Sequence, residues 1–155
     1  VVVALAAGAY ALGARSGGEA RDRQELVAER GATVMPFDLD QTTHVFAKRP
    51  TGGVQTVSAD DPGDAEEVAL IRTHLRKEAA AFRRGEFADP AAIHGMEMPG
   101  LAVLRVRYGE LQVEYEDAAA GGRIVYASDR PELVRALHEW FDAQLMDHGD
   151  DARDG

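Results

Sequence analysis

Two short stretches of the chain alternate apolar and polar residues: THVFAK at 43–48 and LQVEYE at 111–116. Each leads to a Gly-Gly pair, Gly52–Gly53 and Gly121–Gly122, and then to a second run of strand-forming residues. Alternation on both sides of a glycine-rich turn is the pattern of an antiparallel hairpin. Behind each hairpin the period changes. AEEVALIRTHLRKEAAAFRRG (65–85) and PELVRALHEWFDAQLMDHG (131–149) space their apolar residues three and four apart, which predicts two amphipathic helices. Gly85 and Gly149 are placed to end them, since glycine accepts the left-handed conformation that closes a helix. Asp60 or Asp61 and Asp129 stand where N-caps belong, with Pro62 and Pro131 just inside the helix start.

The two halves also match in sequence. GGVQTVSADDP (52–62) and GGRIVYASDRP (121–131) share Gly-Gly, an aspartate and a proline at a constant offset, 52 to 121 and 62 to 131. The expected fold class is therefore α+β: a duplicated β-β-α unit whose hairpins join in a four-stranded antiparallel sheet with both helices on one face. Neither unit alone buries enough apolar surface to stand, but two can share a core. Strand alternation turns His44, Phe46, Val57, Val113, Tyr115, Ile124 and Tyr126 inward. The helix stripes are Val68, Ile71, Leu75 and Phe82 in the first helix, and Leu133, Leu137, Phe141 and Leu145 in the second. Trp140 and Phe141 are adjacent on the second helix, and core is the default expectation for both. Residues 86–110 connect the two units, with a short helix or extended link in PGLAVLRV.

Outside this repeat the pattern weakens. Residues 1–14, VVVALAAGAYALGA, are uncharged and mostly apolar. They are too few to span a bilayer alone and fit a truncated signal or membrane anchor, which would place the domain outside the cytoplasm. Residues 15–36 are polar with mixed charge and read as a linker, with a short helix around 19–30 and the compact domain beginning near Phe37. Residues 150–155 read as a disordered tail.

Composition narrows the choice of partners. The 155 residues carry a formal net charge of −10, which disfavours nucleic acid as a ligand and adhesion to anionic lipid heads. Membrane contact is expected only through the N-terminal segment. There is no cysteine, so disulfides, thiolate metal sites and a cysteine nucleophile are excluded. Phosphate-binding glycine loops, HExxH and the Gly-x-Ser-x-Gly elbow are absent as well.

The remaining chemistry is histidine. Of the five, His44 alternates with Phe46 and should face the helices, while His138 shares a helix face with Val134, Phe141 and Leu145. His74 and His138 each lie eleven residues before a helix-ending glycine and four before a carboxylate, Glu78 and Asp142, a spacing that suits an imidazole held by its own helix. IHGMEMPG (93–100) adds His94, Met96 and Met98, and the C-terminus adds His148. Imidazole with thioether suits a soft ion. The candidate metal ligands are accordingly His44, His94, His138, His148 and Met98, for copper or zinc. In the alternative reading each ring satisfies a hydrogen bond in the core, and the outer sheet positions Gln112, Glu114, Glu116, Arg123 and Val125 meet a protein partner. A third option, His138 with Asp142 as a general base, rests on that pair alone, and an enzyme is not the expectation.

DLDQTTHVF (38–46), FADPAAIHGMEMPGL (87–101) and HEWFDAQLMDHG (138–149) resemble a family of small membrane-anchored bacterial proteins that often carry the label aspartate carbamoyltransferase. The resemblance implies one extracytoplasmic domain after residue 36, and the label implies carbamoyl transfer. Carbamoyltransferases resemble one another in a Ser-Thr-Arg-Thr segment and a His-Pro-x-Gln segment on a chain about twice as long. Neither segment occurs here, and that activity ranks last.

Overall fold

A computed structural model describes residues 17–155. The segment expected as an anchor, 1–14, lies outside the described residues. Among the described residues no helix is long and apolar enough to cross a membrane. The chain runs α1 (Gly17–Val34), β1 (Thr42–Arg49), β2 (Gly52–Ala59), α2 (Ala65–Phe82), α3 (Ala88–His94), α4 (Leu101–Val106), β3 (Gln112–Ala118), β4 (Gly121–Ala127), α5 (Pro131–His148) and β5 (Ala152–Asp154).

The fold is α+β with a single mixed sheet in the order β3-β4-β2-β1-β5. Four strands are the two expected hairpins, joined antiparallel through β2 and β4. The expected four-stranded sheet is corrected by a fifth strand. Residues 150–155, read as a disordered tail, include β5, which pairs parallel to β1. Gly149 at φ +58° closes α5 and lets the chain turn back onto the open edge of β1. An edge strand offers unpaired backbone donors and acceptors, and a three-residue strand is enough to cover part of them.

The join between hairpins is symmetric. Gly52 pairs with Ala127 and Ser58 with Gly121, while Gln55 pairs with Ile124 at the centre. At the offset that aligns 52 with 121, each outer pair maps onto the other and Gln55 onto its own partner. That is the register a twofold axis through the middle of the sheet would give. The glycines follow it too. A Cβ on Gly52 would sit 1.9 Å from the carbonyl oxygen of Tyr126, and one on Gly121 would sit 2.0 Å from that of Val57.

Helices α2 and α5 cover one face of the sheet, and their apolar stripes meet the inward strand residues. Phe46, Ile71, Ile124, Leu133, Leu137, Trp140 and Phe141 are fully buried, so both aromatic neighbours on α5 belong to the core. Tyr115 and Leu145 are only partly buried. The first helix starts later than its prolines suggest: Asp64, not Asp60 or Asp61, caps α2 by accepting from the Glu67 amide. Asp60 instead accepts from the Thr43 hydroxyl. Asp129 is not a cap either; Arg130 occupies that position with no side-chain bond, and Pro131 is the first helical residue.

The stretch expected as a linker is the 18-residue helix α1, which packs on α3 and α5. Only Val27 and Gly31 of α1 are buried, so it lacks the apolar stripe by which a docked helix is recognised. Its anchor is polar. The Arg23 guanidinium donates to both oxygens of Asp147 on α5, at 2.9 and 2.6 Å, and to the backbone oxygen of His94 on α3, at 2.7 Å. Gly31 allows close approach, since a Cβ there would lie 2.6 Å from Leu39 Cδ1.

Candidate metal centre

The core is not apolar throughout. Between the sheet, α2, α3 and α5 lies a cavity of about 30 Å³ whose lining includes His44, His74, Glu78, His94, Gln144 and His148. Each arrives by a simple route. His44 is inward by strand alternation on β1. His74 and Glu78 lie one turn apart on α2. His94 is the last residue of α3, held by the turn at Gly95, where φ is +93°. Gln144 and His148 lie one turn apart on α5. An aromatic floor closes the space: Trp140 meets Phe82, Phe87 and Tyr126 edge-on at 5.7–6.1 Å between ring centres.

At the α2 wall, His74, Glu78 and Asp89 each offer a ligand atom, and these atoms lie within 4.8 Å of one another. Asp89 comes from the first turn of α3. Burial, then the charge of Asp89 and a hydrogen bond to it, push the Glu78 carboxyl up to about 8, with Lys77 opposing. Glu78 therefore carries a proton at neutral pH and shares it with Asp89. Asp89 also pairs with Lys77, Nζ to Oδ2 at 3.2 Å. Burial holds the His74 ring below its ordinary value.

On the α5 side, His148 stacks on His44 at 4.9 Å between ring centres and meets His94 edge-on at 5.0 Å. His94 Nδ1 lies 3.0 Å from Asp147 Oδ2. Burial would raise Asp147, but the bonds from His94 and Arg23 prevail and hold it below the usual carboxylate range. An ionised Asp147 accepts from the Arg23 guanidinium, and His94 Nδ1, placed against the same carboxylate, is the ring nitrogen positioned to donate to it. Burial pushes His44 down to about 4, with the neighbouring rings His94 and His74 adding to the shift. His148 is also held well below its ordinary value, by burial and then by His44 and His94.

Among the described residues, four buried polar atoms around this cavity have no hydrogen-bond partner: both ring nitrogens of His44, Trp140 Nε1 and Gln144 Nε2. All three side chains line the cavity. An unmet buried polar group costs on the order of 1–3 kcal/mol, so the cavity lining strongly favours a polar occupant. Its volume holds an ion or a water or two.

Of the expected ligands, the fold brings His44, His94 and His148 around one cavity. It does not focus their nitrogens on one point: among the described residues, the set that meets within 4.8 Å is His74, Glu78 and Asp89. His138 is elsewhere. Its Nε2 donates to the backbone oxygens of Gly52, at 2.8 Å, and Arg49, at 3.2 Å, clamping the β1–β2 turn. Asp142 does not orient it but pairs with Lys48. His74 and His138 are thus not counterparts: one lines the cavity and the other holds a hairpin. Met98 is 3% exposed and belongs to the apolar core, whereas Met96 points to solvent. The thioether at the cavity is that of Met35. Glu78 was visible in sequence only as the residue four after His74. Asp89 carried no signal, because its approach depends on how α3 folds back on α2.

No family model, curated protein or solved structure matches the chain, and function has to come from the chemistry of the site.

Proposed function

We propose that this protein is a small metal-binding domain in which His74, Glu78 and Asp89 ligate one divalent ion. The observation that carries the reading is the convergence of these three side chains, two of which, His74 and Glu78, line a cavity that also holds unpartnered buried polar atoms. One imidazole and two carboxylates suit a borderline-to-hard ion such as Zn(II) or Mn(II) better than Cu(I). Binding would displace the proton that Glu78 and Asp89 share. The enclosed cavity has room for an ion but not for an organic molecule, and carbamoyl transfer, which needs two larger substrates, ranks well below metal binding. The symmetric β2–β4 register supports reading the two hairpin–helix units as a duplication. In that case the site has no complete twofold mate: at the same offset Glu78 falls on Asp147 but His74 falls on Ala143, which offers no ligand atom.

Titration of Zn(II) and Mn(II) into chelator-stripped, untagged protein tests the proposal. One ion should bind per chain, and His74→Ala or Glu78→Gln should weaken binding at least about 100-fold, the loss expected of a ligand. Glutamine is a fair replacement because Glu78 is uncharged at neutral pH. Equal affinity in all three proteins would refute the assignment.

The alternative, an interaction module, draws on the sheet face opposite the helices. Val45, Val54, Thr56 and Val125 are half-buried there, and Gln112, Glu114 and Arg123 are exposed. This reading requires a partner and leaves the unmet polar atoms of the cavity unexplained.

A further inference from the structure

Beside the buried cavity lies a larger cleft of about 350 Å³, between α1, the turn before β1 and the end of α5. Among the described residues its lining includes five carboxylates, those of Glu25, Asp40, Asp147, Asp150 and Asp151, and no lysine or arginine. Asp147 is neutralised by Arg23, which leaves four. The crowding is felt at Asp151, whose carboxyl is raised by burial and then by Asp40, Asp150 and Asp60. Two residues line both the cleft and the cavity: His44 and His148. Their stacked rings are the partition between the two spaces. His44 is 3% exposed and neither of its nitrogens has a protein partner. His148 is partly exposed.

From this juxtaposition we propose that the acidic cleft is a cation-loading site, and that the His44–His148 pair passes a divalent ion from it to His74, Glu78 and Asp89. The inference rests on the metal-binding reading above. A cleft lined by one sign of charge concentrates counter-ions and speeds their arrival. Neutral imidazoles, with burial keeping both rings unprotonated, offer lone pairs to an ion shedding its water, so it never crosses the partition without ligands. Of the two rings His148 is the one nearer the surface, at the end of α5 next to the Gly149 turn. The other cleft that reaches His74, between α1 and α2, is mainly apolar with Glu66 and Lys77 at its rim, and offers a cation no comparable attraction.

Stopped-flow mixing of the full metal-free chain with Co(II) alone separates route from destination. The doubly neutralised variant Asp150→Asn/Asp151→Asn, both surface changes, should slow association at low salt by about tenfold, and the difference should shrink at high ionic strength. His148→Phe keeps a flat ring of similar size without the lone pair. It should slow association and dissociation by the same factor, leaving the equilibrium affinity within about twofold, because a change confined to the barrier cannot shift the equilibrium. Unchanged association in the Asp150/Asp151 variant overturns the route even if His148→Phe does not fold. A loss of affinity in His148→Phe makes that ring a ligand and overturns its role as a carrier. Failure of the wild type to take up Co(II) overturns the metal site itself, an outcome distinct from uptake at unaltered rates.

Discussion

At the scale of single residues, the protein's most telling feature is a histidine with nothing to bond. His44 was legible in sequence, since alternation with Phe46 turned it inward. What alternation could not reveal was that its nitrogens would be left without partners, because that depends on which groups α2, α3 and α5 bring to the cavity. Burial holds its pKa at about 4 against 6.5 in the unfolded chain. Between those values the unfolded state binds a proton that the folded state refuses, so stability falls as pH drops through the window. The loss from this group is about 3 kcal/mol between pH 7 and pH 4. Chemical denaturation of metal-free protein across that range measures it. His44→Leu should flatten the acid limb relative to wild type; parallel limbs would show that the ring is protonated without penalty. Glu78 acts in the opposite direction. Its folded value of about 8 lies above 4.5, so its contribution declines as pH rises between the two, which is why the single variant is needed to isolate His44.

At the scale of elements, the hairpins, α2 and α5 could be read from periodicity, while α1 showed only as a short helix around 19–30 within a linker, and α3 and β5 did not show. The difference lies in what holds them. α2 and α5 present apolar stripes, which repeat every turn and show in sequence. β5 is held by three residues of backbone pairing, which any side chains allow. α1 is held chiefly by Arg23 on Asp147, whose side chain is 1% exposed. Breaking that pair leaves a buried carboxylate with His94 as its remaining side-chain partner, so Arg23→Ala should cost about 3 kcal/mol, read as a lower thermal midpoint. It should also free α1 to rapid amide exchange, whereas exchange as slow as in α5 would mean that the helix docks without the charge. The glycine pair is a second test at this scale. Gly52→Ala and Gly121→Ala push a methyl into matching carbonyls across the β2–β4 seam. Each should destabilise by more than about 2 kcal/mol and by similar amounts, judged by denaturant midpoints. One tolerated and one severe substitution would break the symmetry of the seam.

At the scale of the whole molecule, His44, His94 and His148 gather around one cavity, while the three side chains whose polar atoms lie within 4.8 Å of one another come from α2 and α3. His138 and Met98 were misplaced for one physical reason: sequence gives the face a residue takes on its own element but not the depth at which that face meets the next. His138 lies at the end of the sheet where the β1–β2 turn needs a donor, and Met98 fills an apolar gap. The position of a bound ion therefore decides between the α2–α3 group and the other candidate ligands. Crystals soaked in Zn(II) and measured at its absorption edge locate it directly. The prediction is one anomalous peak within about 2.2 Å of ligand atoms of His74, Glu78 and Asp89, lost in Glu78→Gln. A peak at His138, a peak only among the surface carboxylates, or no peak would contradict it.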